Sequence, residues 1–255
     1  MRILLVRHGN SEGNEDESRY IKVGDQNIAL TDKGWLQTYH TGQFLKNYYA
    51  EHGLTDWPHM FLSPYARTRQ TTSGILKGME GFRNDLPKLR EDARLVEKFF
   101  GAASALEYLK HPDISPELTA GLQALFKRVY QNDPFTTRGL FGDSFKDIVG
   151  NVKGFMDGTL DRDVKMGNDN FLIITHGAVI QAFLMAWMHL RIEDKKKIGN
   201  PGNGDVIEIA GTSKNWTVRR IYRGETMETV NEYWLENVKP FSAQDLPPFP
   251  QRLLD

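Results

Sequence analysis

Two stretches of this chain are built alike. Ile3-Leu4-Leu5-Val6-Arg7-His8-Gly9 and Phe171-Leu172-Ile173-Ile174-Thr175-His176-Gly177 each run an apolar segment into a polar residue, a histidine and a glycine. A continuous apolar run bounded by turn residues marks a strand covered on both faces, as in a parallel sheet with helices on either side. The carboxyl ends of such strands face the ligand crevice. Glycine straight after the histidine permits a sharp turn and close approach of a ligand to the backbone. Taken singly, each histidine reads as a strand-end imidazole tied to a backbone carbonyl. In matched contexts the pair reads as two imidazoles meeting in one pocket.

His59-Met60-Phe61-Leu62 is a shorter run of the same kind, and each run is followed by a turn and a helical pattern, which is βα architecture. Thr31 is placed to cap a helix to about Glu51, with Trp35, Tyr39, Gln43-Phe44 and Tyr48 at helical spacing. Ser63-Pro64 reads as a serine cap followed by proline at the first helical position. Gly142-Asp143-Ser144 opens a helix to roughly Leu160, and Gly177 one to His189. Gly199 to Gly204 is a turn cluster, and Val206–Ile209 with Trp216–Ile221 reads as a closing hairpin. The expected fold is a single three-layer α/β domain over 1–255, its mostly parallel sheet flanked by helices. A helical insertion at about 99–141 is expected over the strand carboxyl ends, followed by a proline-rich surface tail at 240–255.

Charge and cysteine content exclude several chemistries. The 32 lysines and arginines nearly balance 33 acids, a formal charge of -1, so nothing favours nucleic acid or an anionic membrane. The absence of cysteine removes disulfides, thiolate metal sites and thiol nucleophiles. The first apolar run is too short for a signal peptide or a membrane span, so the expected location is cytoplasmic. No spacing around His8 or His176 suggests a metal site, and no cofactor is expected. Met156-Asp157-Gly158-Thr159 lacks the aspartate an aspartyl-phosphate motif requires, since Phe155 holds that position. Lys195-Lys196-Lys197 reads as a solvated loop face.

Arginines cluster near the strand ends: Arg7 beside His8, and Arg67 and Arg69 in the first turns after Ser63-Pro64. Cations oppose the helix dipole there, a placement that makes sense if an anion binds nearby. Composition alone does not say which of Arg67 and Arg69 is aimed at it.

Arg7-His8-Gly9-x-Ser11-x-x-Asn14 resembles the opening motif of the histidine phosphatase superfamily, the phosphoglycerate mutase-like clan. Leu30-Thr31-x-x-Gly34, Ser63-Pro64-x-x-Arg67-Thr68-x-Gln70-Thr71, Leu95-Val96-Glu97 through Gly101, Gly142-Asp143-Ser144 and Thr175-His176-Gly177 follow in the family's order. The resemblance singles out Arg67 over Arg69. It implies that His8 attacks phosphorus, that Arg7, Arg67, His176 and Asn14 hold the phosphoryl oxygens, and that Glu97 donates a proton to the leaving oxygen. Gly177 and Tyr20 complete the expected phosphate and substrate contacts, with Asp143 and Asp25 as reserve acids. It implies a metal-independent enzyme acting on a small phosphorylated substrate.

The chain also departs from the pattern. Ala102-Ala103-Ser104-Ala105 replaces the Trp-Glu-Gly type sequence of family phosphatases, and Tyr20-Ile21-Lys22-Val23-Gly24-Asp25 stands where mutases carry a Phe-Thr-Gly-Trp-like loop. The leading expectation is a phosphomonoesterase. A cofactor-dependent phosphoglycerate mutase or related phosphotransferase is second, and a non-catalytic phospholigand or scaffold module third. Neither the oligomeric state nor the substrate is legible.

Overall fold

The computed structural model describes residues 1–101, 115–139, 141–212 and 215–235. Its strands are β1 Arg2–Arg7, β2 His59–Leu62, β3 Leu89–Glu91, β4 Asn170–Thr175, β5 Val206–Thr212, β6 Asn215–Arg223 and β7 Glu228–Tyr233. They form one mixed sheet in the order β3-β2-β4-β1-β5-β6-β7. The side from β3 to β1 is parallel, and the side from β1 to β7 is antiparallel. The apolar runs are the central strands, and the closing hairpin is the first part of a three-stranded meander.

Alternation along β1 explains the layers. Ile3 and Leu5 enter a core with Phe145, Ile148, Val179 and Phe183, while Leu4 and Val6 enter another with Phe44, Leu45, Tyr49 and Ile75. The helices are α1 Glu12–Glu15, α2 Asp32–Glu51, α3 Ala66–Gly78, α4 Pro116–Asn132, α5 Phe145–Phe155, α6 Asp161–Lys165 and α7 Gly177–Trp187. Thus α2 and α3 cover one face of the sheet and α5 and α7 the other, giving a single three-layer α/β domain. Burying every side chain of β1 from Ile3 to Val6 requires cover on both faces.

Thr31 caps α2 as expected, accepting from the Gly34 N–H at 3.1 Å. The buried face of α2 differs from the apolar spacing. Trp35 and Gln43 are exposed, and the helix buries Gly34, Gln37, Thr38, Thr41 and Gly42 ahead of Phe44 and Leu45. The reason is the closeness of α3. A Cβ on Gly42 would strike the Ile75 carbonyl, one on Gly74 the Thr38 hydroxyl, and one on Gly78 the Tyr39 carbonyl. Backbone meets backbone at Gly42 and Gly78 and a side chain presses on Gly74, a closeness only small residues allow.

Ser144 caps α5 with Asp147 completing a capping box, and the helix continues through a π turn at Met156–Leu160 into α6. Lys195 is not part of a solvated face: it is half-buried over the Phe145 ring, and Lys197 pairs with the buried Asp194 at 2.7 Å. Within the expected insertion, α4 buries none of its side chains. Residues 102–114 and 140, like the expected tail at 240–255, lie outside the described residues.

Candidate active site

The parallel ladder delivers both histidines. Arg7 pairs with Thr175, and the His8 N–H donates to the Thr175 carbonyl at 2.9 Å, so His8 and His176 leave adjacent strands together. Their rings stand edge to face with centroids 5.2 Å apart, and both residues are buried. His8 Nδ1 lies 2.8 Å from its neighbour's carbonyl, Gly9 O, and must carry the proton to bond there. Its Nε2 is thereby left with the lone pair.

Ser63 does not cap α3: Tyr65 takes the cap position, and the helix begins at Ala66. The Ser63 N–H extends the β2 ladder to the Ile174 carbonyl, and its Oγ lies 2.8 Å from His176 Nε2. A serine hydroxyl donating to Nε2 puts the His176 proton on Nδ1, a buried atom with no partner. With the hydroxyl donating, Ser63 would fix the tautomer of the second histidine.

The Gly199–Gly204 cluster, read in the sequence only as a turn, straps the first strand end. Arg7 Nη1 donates to Pro201 O at 2.6 Å, and Asn203 Nδ2 donates to His8 O at 3.1 Å and Asn14 Oδ1 at 3.2 Å. The buried Asp205 carboxylate fixes this strap, accepting from Gly202 N–H at 2.8 Å, Gly224 N–H at 2.9 Å and Arg220 Nη1 at 3.1 Å. Asn14 is exposed, its side-chain oxygen engaged by Ser11 and Asn203, at the edge of the His8 turn. A Cβ on Gly177 would displace Asn200 Oδ1 and come within 3.5 Å of Arg7 Nε, so Gly177 lets the start of α7 approach the strap closely.

Arg67 and Arg69 are separated by the phase of α3. Arg67 is 1% exposed, with Nη1 donating to the Asp25 carbonyl at 2.7 Å, an ion pair to Asp25 Oδ1 at 2.7 Å, and its guanidinium 5.0 Å from the Tyr65 ring. Arg69 is exposed and forked onto Glu91 at 2.5 and 2.8 Å. Arg7 Nε and Arg67 Nε are buried and unpartnered, as is His176 Nδ1.

Electrostatics link these groups. Burial first, then Arg67 and Arg7, holds His8 well below the usual histidine range against the opposing Gly9 bond. His176 is likewise held well below it by burial, Arg67, His8 and Arg7. Glu97 is half-buried and accepts from the Lys98 N–H at 2.9 Å. Burial pushes its carboxyl up, opposed by the Lys98 bond and the charges of Arg67 and Arg7. Burial also raises the Tyr20 phenol, which feels Arg67, Asp25, Glu97 and Arg7. The reserve acid Asp143 is engaged elsewhere, accepting from the Phe99 N–H at 2.9 Å.

The structure thus brings Arg7, His8, Arg67, Glu97, His176, Gly177 and Tyr20 around one site, with Asn14 at its edge. Ser63, Tyr65, Asn203 and Asp205 join them without having been singled out as site residues. Among the described residues, no group of three or more His, Cys, Asp or Glu is placed to hold a metal ion, and no helix is long and apolar enough to cross a membrane.

A half-parallel α/β sheet that ends two adjacent strands in facing histidines, ringed by arginine, is a phosphate-handling architecture. The chain belongs to the histidine phosphatase superfamily (branch 1), whose family model matches residues 3–223. It is 32% identical over 215 residues to a phosphoglycerate mutase-like protein of Arabidopsis thaliana, AT74, the match spanning 80% of this chain but 63% of that relative's length. It is 25% identical to the 2,3-bisphosphoglycerate-dependent phosphoglycerate mutase of Rhizobium etli, over 78% of this chain and 86% of the relative. Among solved structures, the α-ribazole phosphatase of Shigella flexneri superposes with a TM-score of 0.62 at 19% identity, covering 86% of this chain and 95% of that one. The vanadate complex of mycobacterial glucosyl-3-phosphoglycerate phosphatase gives 0.61 at 17% identity, covering 86% and 96%. These two show the fold.

Proposed function

We propose that this chain is a metal-independent phosphatase that hydrolyses small phosphate monoesters through a phosphohistidine on His8. The observation that carries the reading is the set of buried, unpartnered nitrogens on Arg7, Arg67 and His176 beside a histidine whose Nε2 is free. Buried donors left without partners are costly, and a phosphoryl group would satisfy them together.

The chemistry follows from the groups present. Neutral His8 attacks phosphorus through Nε2 while the ester oxygen leaves with a proton from Glu97. Depressing the His8 pKa keeps the nucleophile neutral, and a raised Glu97 pKa keeps the acid protonated further toward neutral pH. Arg7, Arg67, His176 through Nδ1–H, and Asn14 at the edge stabilise charge on the phosphoryl oxygens. Water then cleaves the phosphorus–nitrogen bond, with Glu97 taking its proton, and phosphate leaves. His8 is restored.

Hydrolysis is favoured over mutase activity by the Tyr20–Asp25 segment standing in place of the mutase loop. The proposed location is cytoplasmic. Brief mixing with phosphorus-labelled ester and an alkaline quench should leave acid-labile label on the protein and none on His8→Ala. Label persisting in that variant refutes the assignment, and isomerisation of phosphoglycerate outpacing phosphate release would make the enzyme a mutase.

A further inference from the structure

We infer that Asp25 is a positioning residue for Arg67: it holds the Nη1 end of the guanidinium so that the edge carrying Nε stays open to a phosphoryl group. The inference rests on the phosphatase reading above and extends it to a residue outside the expected phosphate contacts.

The contact is two-fold and specific to one nitrogen. Arg67 Nη1 donates to the backbone carbonyl of Asp25 at 2.7 Å and stands 2.7 Å from its Oδ1 as an ion pair, the carboxylate oxygen making no hydrogen bond of its own, whereas Nε is buried with no partner. A guanidinium offers parallel N–H bonds along its Nε–Nη2 edge, the edge suited to two phosphoryl oxygens. A carboxylate seated on that edge would compete with phosphate. Asp25 takes the other end.

The local chain is shaped for this contact. Gly24 has φ of +80°, a conformation open to glycine, between the π turn Tyr20–Gly24 and the 3-10 turn Asp25–Asn27. Asn27 Nδ2 closes the bend onto Val23 O at 2.9 Å. The bend presents carbonyl and carboxylate of one residue to one arginine. Asp25 is 13% exposed at its side chain and Arg67 1%, so the pair is nearly removed from water. A long arginine stem otherwise samples many rotamers, and fixing one end removes that freedom before substrate arrives.

Variants of the full chain separate positioning from competition. Affinity for inorganic phosphate is measured by calorimetry, and phosphorylation by single turnover with p-nitrophenyl phosphate. Asp25→Ala should weaken both about 10- to 100-fold, the loss expected when an oriented group is misplaced. Asp25→Asn keeps an oxygen acceptor for Nη1 and should stay within about threefold of wild type. In an Arg67→Lys background, Asp25→Ala should add nothing, because it acts through the fork already removed. The inference is overturned if Asp25→Ala or Asp25→Asn binds phosphate more tightly than wild type, or if the Asp25→Ala and Arg67→Lys losses add. Unchanged phosphate affinity in Arg67→Lys alone would instead overturn the phosphate reading of the site.

Discussion

His8 and His176 face each other with ring centroids 5.2 Å apart because the strands that carry them pair in register at Arg7 and Thr175. Both imidazoles are held well below the ordinary histidine value of about 6.5 by burial and by the same arginines. Below that value the unfolded chain binds protons that the folded chain refuses. Their contribution to stability is therefore complete above about pH 6.5 and is lost as pH falls toward the folded values, at up to about 1.4 kcal/mol per pH unit for each histidine. Chemical denaturation across pH 5–7 (roughly the span in which a free histidine charges) should show a shallower acid loss in His8→Gln than in wild type. Glu97, with its carboxyl pKa raised by burial, acts oppositely: its stabilisation is present below the usual carboxylate value and is lost as pH rises through the folded one. Glu97→Gln should accordingly steepen the acid loss. Parallel slopes in all three proteins would contradict this assignment of burial.

Ser63→Ala tests the tautomer of the second histidine. Losing the Oγ contact to His176 Nε2 frees the ring to place its proton on either nitrogen. The expected cost is about 1–1.5 kcal/mol in kcat/KM, roughly tenfold. Ser63→Thr retains the hydroxyl and should recover most of the activity. Equal losses in both variants would point to packing.

Arg67→Lys keeps a positive charge and loses the planar fork. If Arg67 contacts the transition state, the loss should be about 3–4 kcal/mol, or 10²–10³ in rate. Arg69→Lys disturbs only an exposed pair with Glu91 and should stay within a few-fold. The opposite ranking would refute the register assigned to α3.

Glu97→Gln should discriminate between leaving groups. Alkyl phosphates leave as strong bases, so proton donation is worth about 10²–10⁴ there, while p-nitrophenolate leaves with little help. Single-turnover phosphorylation is the proper comparison, because the proposed hydrolysis step would use Glu97 as well. Equal losses on both substrates would reduce Glu97 to a solvating or orienting role.

The histidine strands were legible because burial on both faces demands a continuous apolar run, and their closing glycines mark the turns. Other features depend on partners distant in sequence. β3 is Leu-Arg-Glu and β7 buries little, so neither carries an apolar signature. The inner face of α2 is built from Gly, Thr and Gln, since its neighbour approaches too closely for larger residues. Arg67 and Arg69 are alike in composition, and the helix places Arg67 with Thr68, Thr71 and Ile75 on the buried side. Nothing in the local pattern around Gly202-Asn203-Gly204-Asp205 announces that it ties down Arg7 and His8.

The glycine seam between α2 and α3 has a consequence for how the enzyme admits its substrate. Helices in such close contact at Gly42, Gly74 and Gly78 have almost no slack for sliding, and Arg67 rides on one of them. The floor of the pocket then behaves as a fixed anvil. On the proposed reading, accommodation of differently shaped esters would fall to the rim around Tyr20, in a tight turn outside the helical layers. Exchanging rim residues other than Asp25 would, on that reading, redirect the chain to another ester while leaving Arg67 and the histidines in place.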